Sequence, residues 1–392
     1  MEKSKGKKVK IKERFFNKSI LVYFMLSESA RKELESQQYI LVGNHSAVKT
    51  CSWTRKMIKN EGSCYKHKFY GIKSNQCLQM TSSLSCANNC IICWRSSKTP
   101  VSKEWNFNTD EPRLIFEHAK KAQYKLLTGL KGYEKTNQNY YEESKEIKHA
   151  ALSLIGESIL YPKINELIGI FNKNNVSTFL VTNTQYPEAI KNLAIVTQLY
   201  LSVDAPNKKL LKEIDKPIFQ DYWERLNKSL EYLKNKNQRT CIRLTIIKGI
   251  NDIEYKNYSR LIMKAFPDFI EIKAYMFLGE SRQRLKESNM PFHEDIVSFS
   301  KELIKFLPDY EIVSEHIPSR VVMLAKKKFF KNGKWFTWID FEKYNNLVNS
   351  KKPFNKSLQG KEKYFTADDY LKETPETGIS GKGTSSYVRK RN

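Results

Sequence analysis

Residues 86–95 read CANNCIICWR, and Cys86, Cys90 and Cys93 in this run follow a C-x3-C-x2-C spacing directly after the strand-like stretch LQMTSSL at 78–84. Thiolates are soft ligands that suit iron–sulfur clusters or zinc. A structural zinc site is closed by four protein ligands. Three closely spaced thiolates instead leave one iron of a cubane 4Fe–4S cluster open. An open iron can chelate the amino and carboxylate groups of S-adenosylmethionine. One electron delivered there breaks a C–S bond and releases a 5′-deoxyadenosyl radical. In such a site the cofactor carries the hard chemistry and the protein positions it. The competing reading is a zinc site completed by Cys241 or a histidine.

Outward from this loop the chain alternates strand and helix. HAALSLIG (149–156), VSTFLVTN (176–183), TQLYLSVDA (197–205), TCIRLTIIKG (240–249) and DFIEIKAYMF (268–277) read as strands, and helical patterns occupy about 111–135, 162–174, 219–236 and 254–265. Six strands, each followed by a helix or a crossover of helical length, give a parallel sheet through right-handed connections. The expected fold class is α/β, a partial (β/α)6 TIM-like barrel whose active site collects at the strand C-termini. Three segments are expected: an N-terminal cysteine-rich extension (1–77) that begins as a basic, partly helical arm, the core barrel (78–310), and C-terminal accessory elements (311–392). The last segment holds a seventh, accessory strand within 311–327 and an extended tail with a loose end at Gly381–Asn392. Polar residues tip the apolar strands: Gly156 and Glu157, then Thr182 and Asn183, then Ser202 and Asp204. Such residues line a ligand at a barrel mouth, although each is also an ordinary loop-starting residue.

The 392 residues are 40% hydrophobic, enough to fill a core. No apolar run approaches the roughly 20 residues that span a bilayer, and the basic N-terminus MEKSKGKKVKIKERFF lacks the pattern of a secretory signal. A cytoplasmic monomer with no membrane association is expected. The net charge is +26, from 68 Lys and Arg against 42 Asp and Glu. Such an excess favours an anionic partner, and nucleic acid is the natural one; a generally lysine-rich proteome is the plainer explanation.

Six of the seven cysteines lie between 51 and 93, too clustered for the disulfide framework of a small secreted domain. Cys51, Cys64 and Cys77 are each thirteen residues apart. That spacing is too long for one chelating loop but suits three segments converging on one object, and clusters accept ligands from separate loops.

The C-x3-C-x2-C loop resembles the signature of the radical S-adenosylmethionine superfamily, and Ile155–Gly156–Glu157 resembles its turn for the methionine amino group. The fuller set NHSAVKTCSWTRKMI, GSCYKHKFYGIKSNQCLQM, CANNCIICWR, HAALSLIGESILYP, TQLYLSVDAPN, RLTIIKG, FIEIKAYMFLGESRQRL, NMPFHE and SRVVML is similar to the tRNA 4-demethylwyosine synthase family, over roughly residues 39–345. The resemblance implies two 4Fe–4S clusters, one on Cys86, Cys90 and Cys93 and one on Cys51, Cys64 and Cys77. It implies condensation of N1-methylguanosine, next to the anticodon of phenylalanine tRNA, with two carbons of pyruvate. The adenosyl radical takes hydrogen from the N-methyl group, the carbon radical attacks the pyruvate carbonyl carbon, the carboxyl fragment leaves and a third ring closes. Lys66 occupies the place of the family's pyruvate Schiff-base lysine, with Lys68 as a competitor. The flavodoxin-like domain of eukaryotic members has no counterpart in this sequence, which implies an external electron donor such as flavodoxin or ferredoxin.

Three departures from the family pattern stand out: Ser158 where proline is usual, Asn75–Gln76 where His-Arg is usual, and Thr184 where glycine is usual. Arg95 beside Trp94, and Arg282 in GESRQRL, are candidate phosphate contacts for tRNA. Aromatic–basic runs such as KHKFYGIK are candidates for a tRNA-facing rim. Two other classes compete: a radical tRNA methylthiotransferase, which the evenly spaced cysteines fit poorly, and a zinc-stabilised RNA-binding module without catalysis.

Overall fold

The computed structural model of the chain describes residues 26–350 and 365–380. Part of the expected basic arm and all of the expected loose end fall outside these residues.

Among the described residues three α-helices precede the first parallel strand: α1 (Glu28–Ser36), α2 (Ser52–Ile58) and α3 (Tyr65–Tyr70). Between α1 and α2, β1 (Ile40–Val42) and β2 (Ser46–Val48) form an antiparallel pair, and β2 then pairs antiparallel with β3 (Cys77–Thr81). From β3 the sheet is parallel and in chain order, through β4 (His149–Leu152), β5 (Ser177–Thr182), β6 (Gln198–Ser202), β7 (Arg239–Ile246) and β8 (Phe269–Ala274). The crossovers carry α4 (Pro112–Leu127) and α5 (Gln138–Glu143), α6 (Ile164–Lys173), α7 (Pro187–Lys191), α8 (Lys208–Asp215) and α9 (Tyr222–Lys234), and α10 (Tyr255–Ala265). After α11 (His293–Ile304), β9 (Tyr310–His316) and β10 (Val321–Lys326) form a hairpin, and β10 pairs antiparallel with β8. The sheet therefore runs across both expected segment boundaries. The six-stranded parallel core is the expected partial barrel. Among the described residues no helix is long and apolar enough to cross a membrane.

Side-chain alternation along the strands builds two apolar layers. Residues such as Leu78, Leu180, Leu199, Ile242 and Ile270 pack outward against helix residues such as Ile115, Phe171 and Leu230. α4 shows why its helix forms and docks. Pro112 sits in its first turn, where a missing N–H costs nothing. Ile115, Ala119 and Ala122 then form one buried stripe, and Phe116 meets Phe171 of α6 edge-on at 5.2 Å. The alternate positions Phe179, Tyr200, Cys241 and Phe269 face inward and pack with Phe69 and Tyr70 of α3. α3 thus plugs one end of the barrel interior. Fully burying each of these phenylalanines is worth on the order of 2 kcal/mol.

Two elements depart from the expectation. The segment 311–327 is two strands, not one, because Pro318 ends the first strand's pairing and Arg320 turns the chain at φ 49°. β2 was not expected, because three residues carry too little alternation to register.

Candidate active site

The cysteine loop leaves β3 and is tied down from two directions. Its Ile91 N–H donates to Ile214 O at 2.8 Å and its Asn89 N–H to Asp215 O at 3.0 Å, both at the end of α8. Arg284, beyond β8, donates to Ile91 O at 3.2 Å and to Cys93 O. Sγ of Cys86 accepts from the Asn88 N–H at 3.4 Å and from the Asn183 side-chain amide at 3.3 Å.

All three cysteines of this loop are free and partly buried. Burial pushes Cys86 up to about 11, with Arg95 pulling the other way. Burial also lifts Cys90 well above its ordinary value, and the Asp215 carboxylate adds to this. The charge of Cys93 raises both. Three thiolates held this close repel one another unless a cationic group sits among them. The donor set fits an iron–sulfur cluster. Among the described residues no three His, Cys, Asp or Glu side chains converge tightly enough to hold a single metal ion.

The strand tips close around the same loop. Gly156 takes φ +69°, and a Cβ there would lie 2.0 Å from Ser83 O, so only glycine allows the turn to approach the loop backbone. The next N–H, of Glu157, donates to Ser85 O at 2.8 Å. The Glu157 carboxyl is buried, and its Oε2 accepts the Asn183 N–H at 2.8 Å. Burial raises its pKa to about 7 against the pull of that bond. Thr182 ends β5 and is buried, and Ser202 ends β6 half-buried. Asp204 is buried two residues later. Its Oδ1 accepts the Thr245 N–H at 3.2 Å, and burial raises its pKa to about 6.

The second cysteine set belongs to three different elements. Cys51 is the N-cap of α2, Cys64 the N-cap of α3, and Cys77 the first residue of β3. Ser74 Oγ donates to Cys64 Sγ at 3.2 Å and accepts the Cys64 N–H at 3.1 Å. Burial raises Cys51 and takes Cys77 to about 12; the charge of Cys64 raises both, and that of Lys66 lowers both. The three thiols and Lys66 therefore share one electrostatic neighbourhood.

Lys66 is only 9% exposed. Its Nζ points into the barrel interior, 5.4 Å from the Phe179 ring centroid and 5.1 Å from that of Tyr200. Burial, and then the nearby Arg243, push its pKa down toward a neutral amine. Lys68 lies elsewhere, more exposed and 3.8 Å from the Glu376 carboxylate. The structure thus separates the two lysines that the sequence left in competition.

Arg95 requires a correction. It is buried, with Nη2 2.6 Å from Asn88 O and Nη1 3.4 Å from Pro100 O. Its guanidinium braces the cysteine loop and is not presented to a phosphate. Arg282 is exposed, with Cζ 5.5 Å from the Phe277 ring. The aromatic residues of KHKFYGIK form no rim, because Phe69 and Tyr70 belong to the interior core.

Two of the three departures find local reasons. Asn75 donates to Glu143 Oε2 at 3.0 Å and to Tyr140 O at 3.1 Å, and Gln76 donates to Glu143 O at 3.1 Å, so the pair fastens α5. Ser158 Oγ accepts the Ser82 N–H at 3.3 Å. Thr184 adopts φ 69°, a left-handed backbone that suits glycine better.

Four residues near the site escaped the sequence reading: Arg284, and the interior charges Arg243, Glu271 and Lys273. Glu271 and Lys273 carried a signal, since two charges at alternate positions mark one face of the otherwise apolar strand β8. Arg243 and Glu271 are register partners on β7 and β8.

Residues 80–262 match the family described as the Radical SAM superfamily, and residues 264–326 the one described as Wyosine base formation. The S-adenosyl-L-methionine-dependent tRNA 4-demethylwyosine synthase TYW1 of Xenopus laevis is 44% identical over 358 residues, covering 91% of this chain and 48% of that protein. The synthase of Oryza sativa subsp. japonica is 43% identical, covering 91% of this chain and 53% of its own length. The chain thus spans about half the length of the curated relatives it matches. A solved structure of TYW1 with a lysine-pyruvate adduct bound superimposes with a TM-score of 0.70 at 36% identity, covering 78% of this chain and 98% of that one. The crystal structure of archaeal TYW1 gives 0.64 at 32% identity, with the same coverage of both chains. With 98% of two solved TYW1 chains matched at more than 30% identity, this chain belongs to the TYW1 family of tRNA 4-demethylwyosine synthases, within the radical SAM superfamily.

Proposed function

We propose that the protein is a tRNA 4-demethylwyosine synthase, which condenses N1-methylguanosine of tRNA with pyruvate to give the tricyclic base 4-demethylwyosine. The observation that carries this reading is the enclosed amine of Lys66, inside the barrel and beside Cys51, Cys64 and Cys77. The names of the relatives support it, as does the lysine-pyruvate adduct of the solved TYW1.

In this reading Cys86, Cys90 and Cys93 hold the cluster that binds S-adenosylmethionine, and Cys51, Cys64 and Cys77 hold a second one. The first cluster, with its cofactor, supplies a 5′-deoxyadenosyl radical when reduced by an external donor. Gly156 and Glu157 bind the methionine end of the cofactor. Thr182, Asn183, Ser202 and Asp204 line its remaining length at the strand tips. Lys66 attacks the carbonyl of pyruvate, and only the neutral amine can do so. The low-dielectric interior that favours this form also excludes water from the adduct. Arg282, exposed on the turn after β8, is a contact for tRNA phosphate.

The test supplies the reconstituted protein with N1-methylguanosine-containing tRNA, pyruvate, S-adenosylmethionine and a reductant. The reading expects a tricyclic nucleoside in the digested tRNA. Formation of 5′-deoxyadenosine without that nucleoside would mean that the substrate is wrong.

A further inference from the structure

The steps above leave the chain beyond β10 without a role, yet that stretch fastens the helix that carries Lys66. α3 has six residues, too few for a helix to hold by itself in water. Its N-cap is Cys64, which makes no side-chain capping bond. The C-terminal end is where α3 is held. Gly71, in left-handed backbone at φ +79°, sends its N–H to His67 O at 2.8 Å. Lys68 O accepts the indole N–H of Trp338 at 2.9 Å, from 270 residues further along the chain. Phe69 O accepts the Thr337 hydroxyl at 2.7 Å. A carbonyl only accepts, so the single hydroxyl proton of Thr337 is committed to Phe69. Thr374 must then donate to Thr337 Oγ1 across 2.9 Å, while its own oxygen accepts the Thr337 N–H at 2.8 Å. The Trp338 ring lies against the end of the helix: a Cβ on Gly71 would come within 2.9 Å of its Cε3. This clamp is itself anchored. Thr337 is fully buried, and Nη2 of the buried Arg239 on β7 donates to its carbonyl at 2.7 Å. Trp338–Ile339 and Leu371–Lys372 pair antiparallel and join the two accessory stretches.

The last four carbonyls of a helix have no partner within it, and a buried carbonyl left unpaired is costly. Thr337 and Trp338 satisfy two of the four in α3. Cys64 opens this helix and Lys66 lies in its first turn, so both follow its backbone. The contacts of Lys66 Nζ with the rings of Phe179 and Tyr200 carry no directional hold of their own. We propose that Thr337 and Trp338, with Thr374 behind Thr337, are positioning residues that cap α3 and thereby fix Cys64 against Cys51 and Cys77 and Lys66 within the barrel. This rests on the reading that Lys66 is the Schiff-base lysine and that Cys64 is a ligand of a second cluster. The far end of the chain then completes one half of the site, while the cysteine loop with Cys86, Cys90 and Cys93 is held by other residues.

The test uses the full-length, cluster-reconstituted protein under anaerobic conditions, as wild type, T337V, T337S, W338F and T337V/W338F. T337V keeps the shape and loses the hydroxyl; W338F keeps a ring and loses the N–H. Three quantities are read: bound iron per chain, the change that S-adenosylmethionine makes in the EPR spectrum of the first cluster, and the pyruvate adduct on Lys66. For the last, Nζ forms a bond to the carbonyl carbon and the oxygen leaves as water. Borohydride then reduces the C=N to a secondary amine that mass spectrometry measures. In T337V/W338F the half-maximal pyruvate concentration is expected to rise about tenfold or more. About half of the bound iron should be lost, and the response of the first cluster to S-adenosylmethionine should stay that of the wild type. T337S should restore both quantities. Should the double variant fail to fold, T337V and W338F decide, each with a smaller change in the same direction. A wild-type pyruvate response or wild-type iron content in the folded variants overturns the proposal. Equal loss of the first cluster's response also overturns it, because the clamp would then support the fold as a whole. Absence of any adduct on Lys66 of the wild-type protein overturns the Schiff-base reading instead, and the iron content then decides whether the clamp positions Cys64.

Discussion

The side-chain amide of Asn183 donates to Sγ of Cys86 across 3.3 Å, joining the tip of β5 to the first cysteine of the loop. The backbone N–H of Asn183 is held in turn by Glu157 at 2.8 Å. The cysteine loop, the Gly156–Glu157 turn and the end of β5 are therefore one mechanical unit. A change in any one of them should be felt as a change in the cluster site.

Gly156 is the tightest point of that unit. Gly156→Ala puts a methyl group 2.0 Å from Ser83 O and forces alanine into a left-handed backbone. The expected cost is roughly 2–5 kcal/mol. Chemical denaturation should show the loss, and the folded fraction should bind S-adenosylmethionine weakly. Wild-type stability in this variant would refute the close approach.

Arg284 and Arg282 lie two residues apart and should behave differently. Arg284 donates to the carbonyls of Ile91 and Cys93 within the cysteine loop, while Arg282 is exposed. Arg284→Ala removes charge-assisted hydrogen bonds worth roughly 1.5–3 kcal/mol to the loop. It should lower the iron retained after reconstitution and gel filtration. Arg282→Ala should retain wild-type iron, and its effect should be confined to tRNA affinity at low salt. Equal iron content in the two variants would count against the brace.

His149 gives the fold a pH dependence away from the thiols of the cysteine loop. Its Nε2 accepts the Lys73 N–H at 3.2 Å, so its Nδ1 is the protonated nitrogen and donates to Ser177 Oγ at 2.7 Å. Burial lowers its pKa to about 3, with Lys73 and Lys148 adding to the shift. A histidine depressed in the folded state stabilises fully above its unfolded value of about 6.5 and loses that contribution as pH falls toward the folded value. Between pH 7 and pH 5 the wild type should lose about 2 kcal/mol that His149→Gln does not lose. Parallel stability curves for the two proteins over that range would contradict this.

The parallel core was legible because its strands alternate between two apolar layers and each is followed by a helix. The hairpin at 310–326 was not, because the strand-like residues Ile312–Val313 and Val321–Ala325 flank only a short polar stretch, in which Pro318 and Arg320 make the turn. The cysteine loop was legible from spacing alone. The second triplet was visible as an even spacing, but its link to Lys66 needed the resemblance, because one lysine among many carries no local signal. Arg95 was misjudged on chain proximity: two residues after Cys93, its side chain turns back to Asn88 rather than outward. Arg243 and Glu271 carried no motif of their own in the sequence; only the barrel brings them together as a buried ion pair on its inner face.

The central claim is that two cysteine triplets, with Lys66 beside one of them, perform separable halves of one reaction. The direct measurement follows 5′-deoxyadenosine and the tricyclic nucleoside side by side in Cys86→Ala and Lys66→Ala, given methylated tRNA, pyruvate, S-adenosylmethionine and a reductant. Cys86→Ala should form neither. Lys66→Ala should still form 5′-deoxyadenosine and no tricyclic nucleoside. A Lys66→Ala enzyme that makes the nucleoside at the wild-type rate, or a Cys86→Ala enzyme that still cleaves the cofactor, would contradict the account.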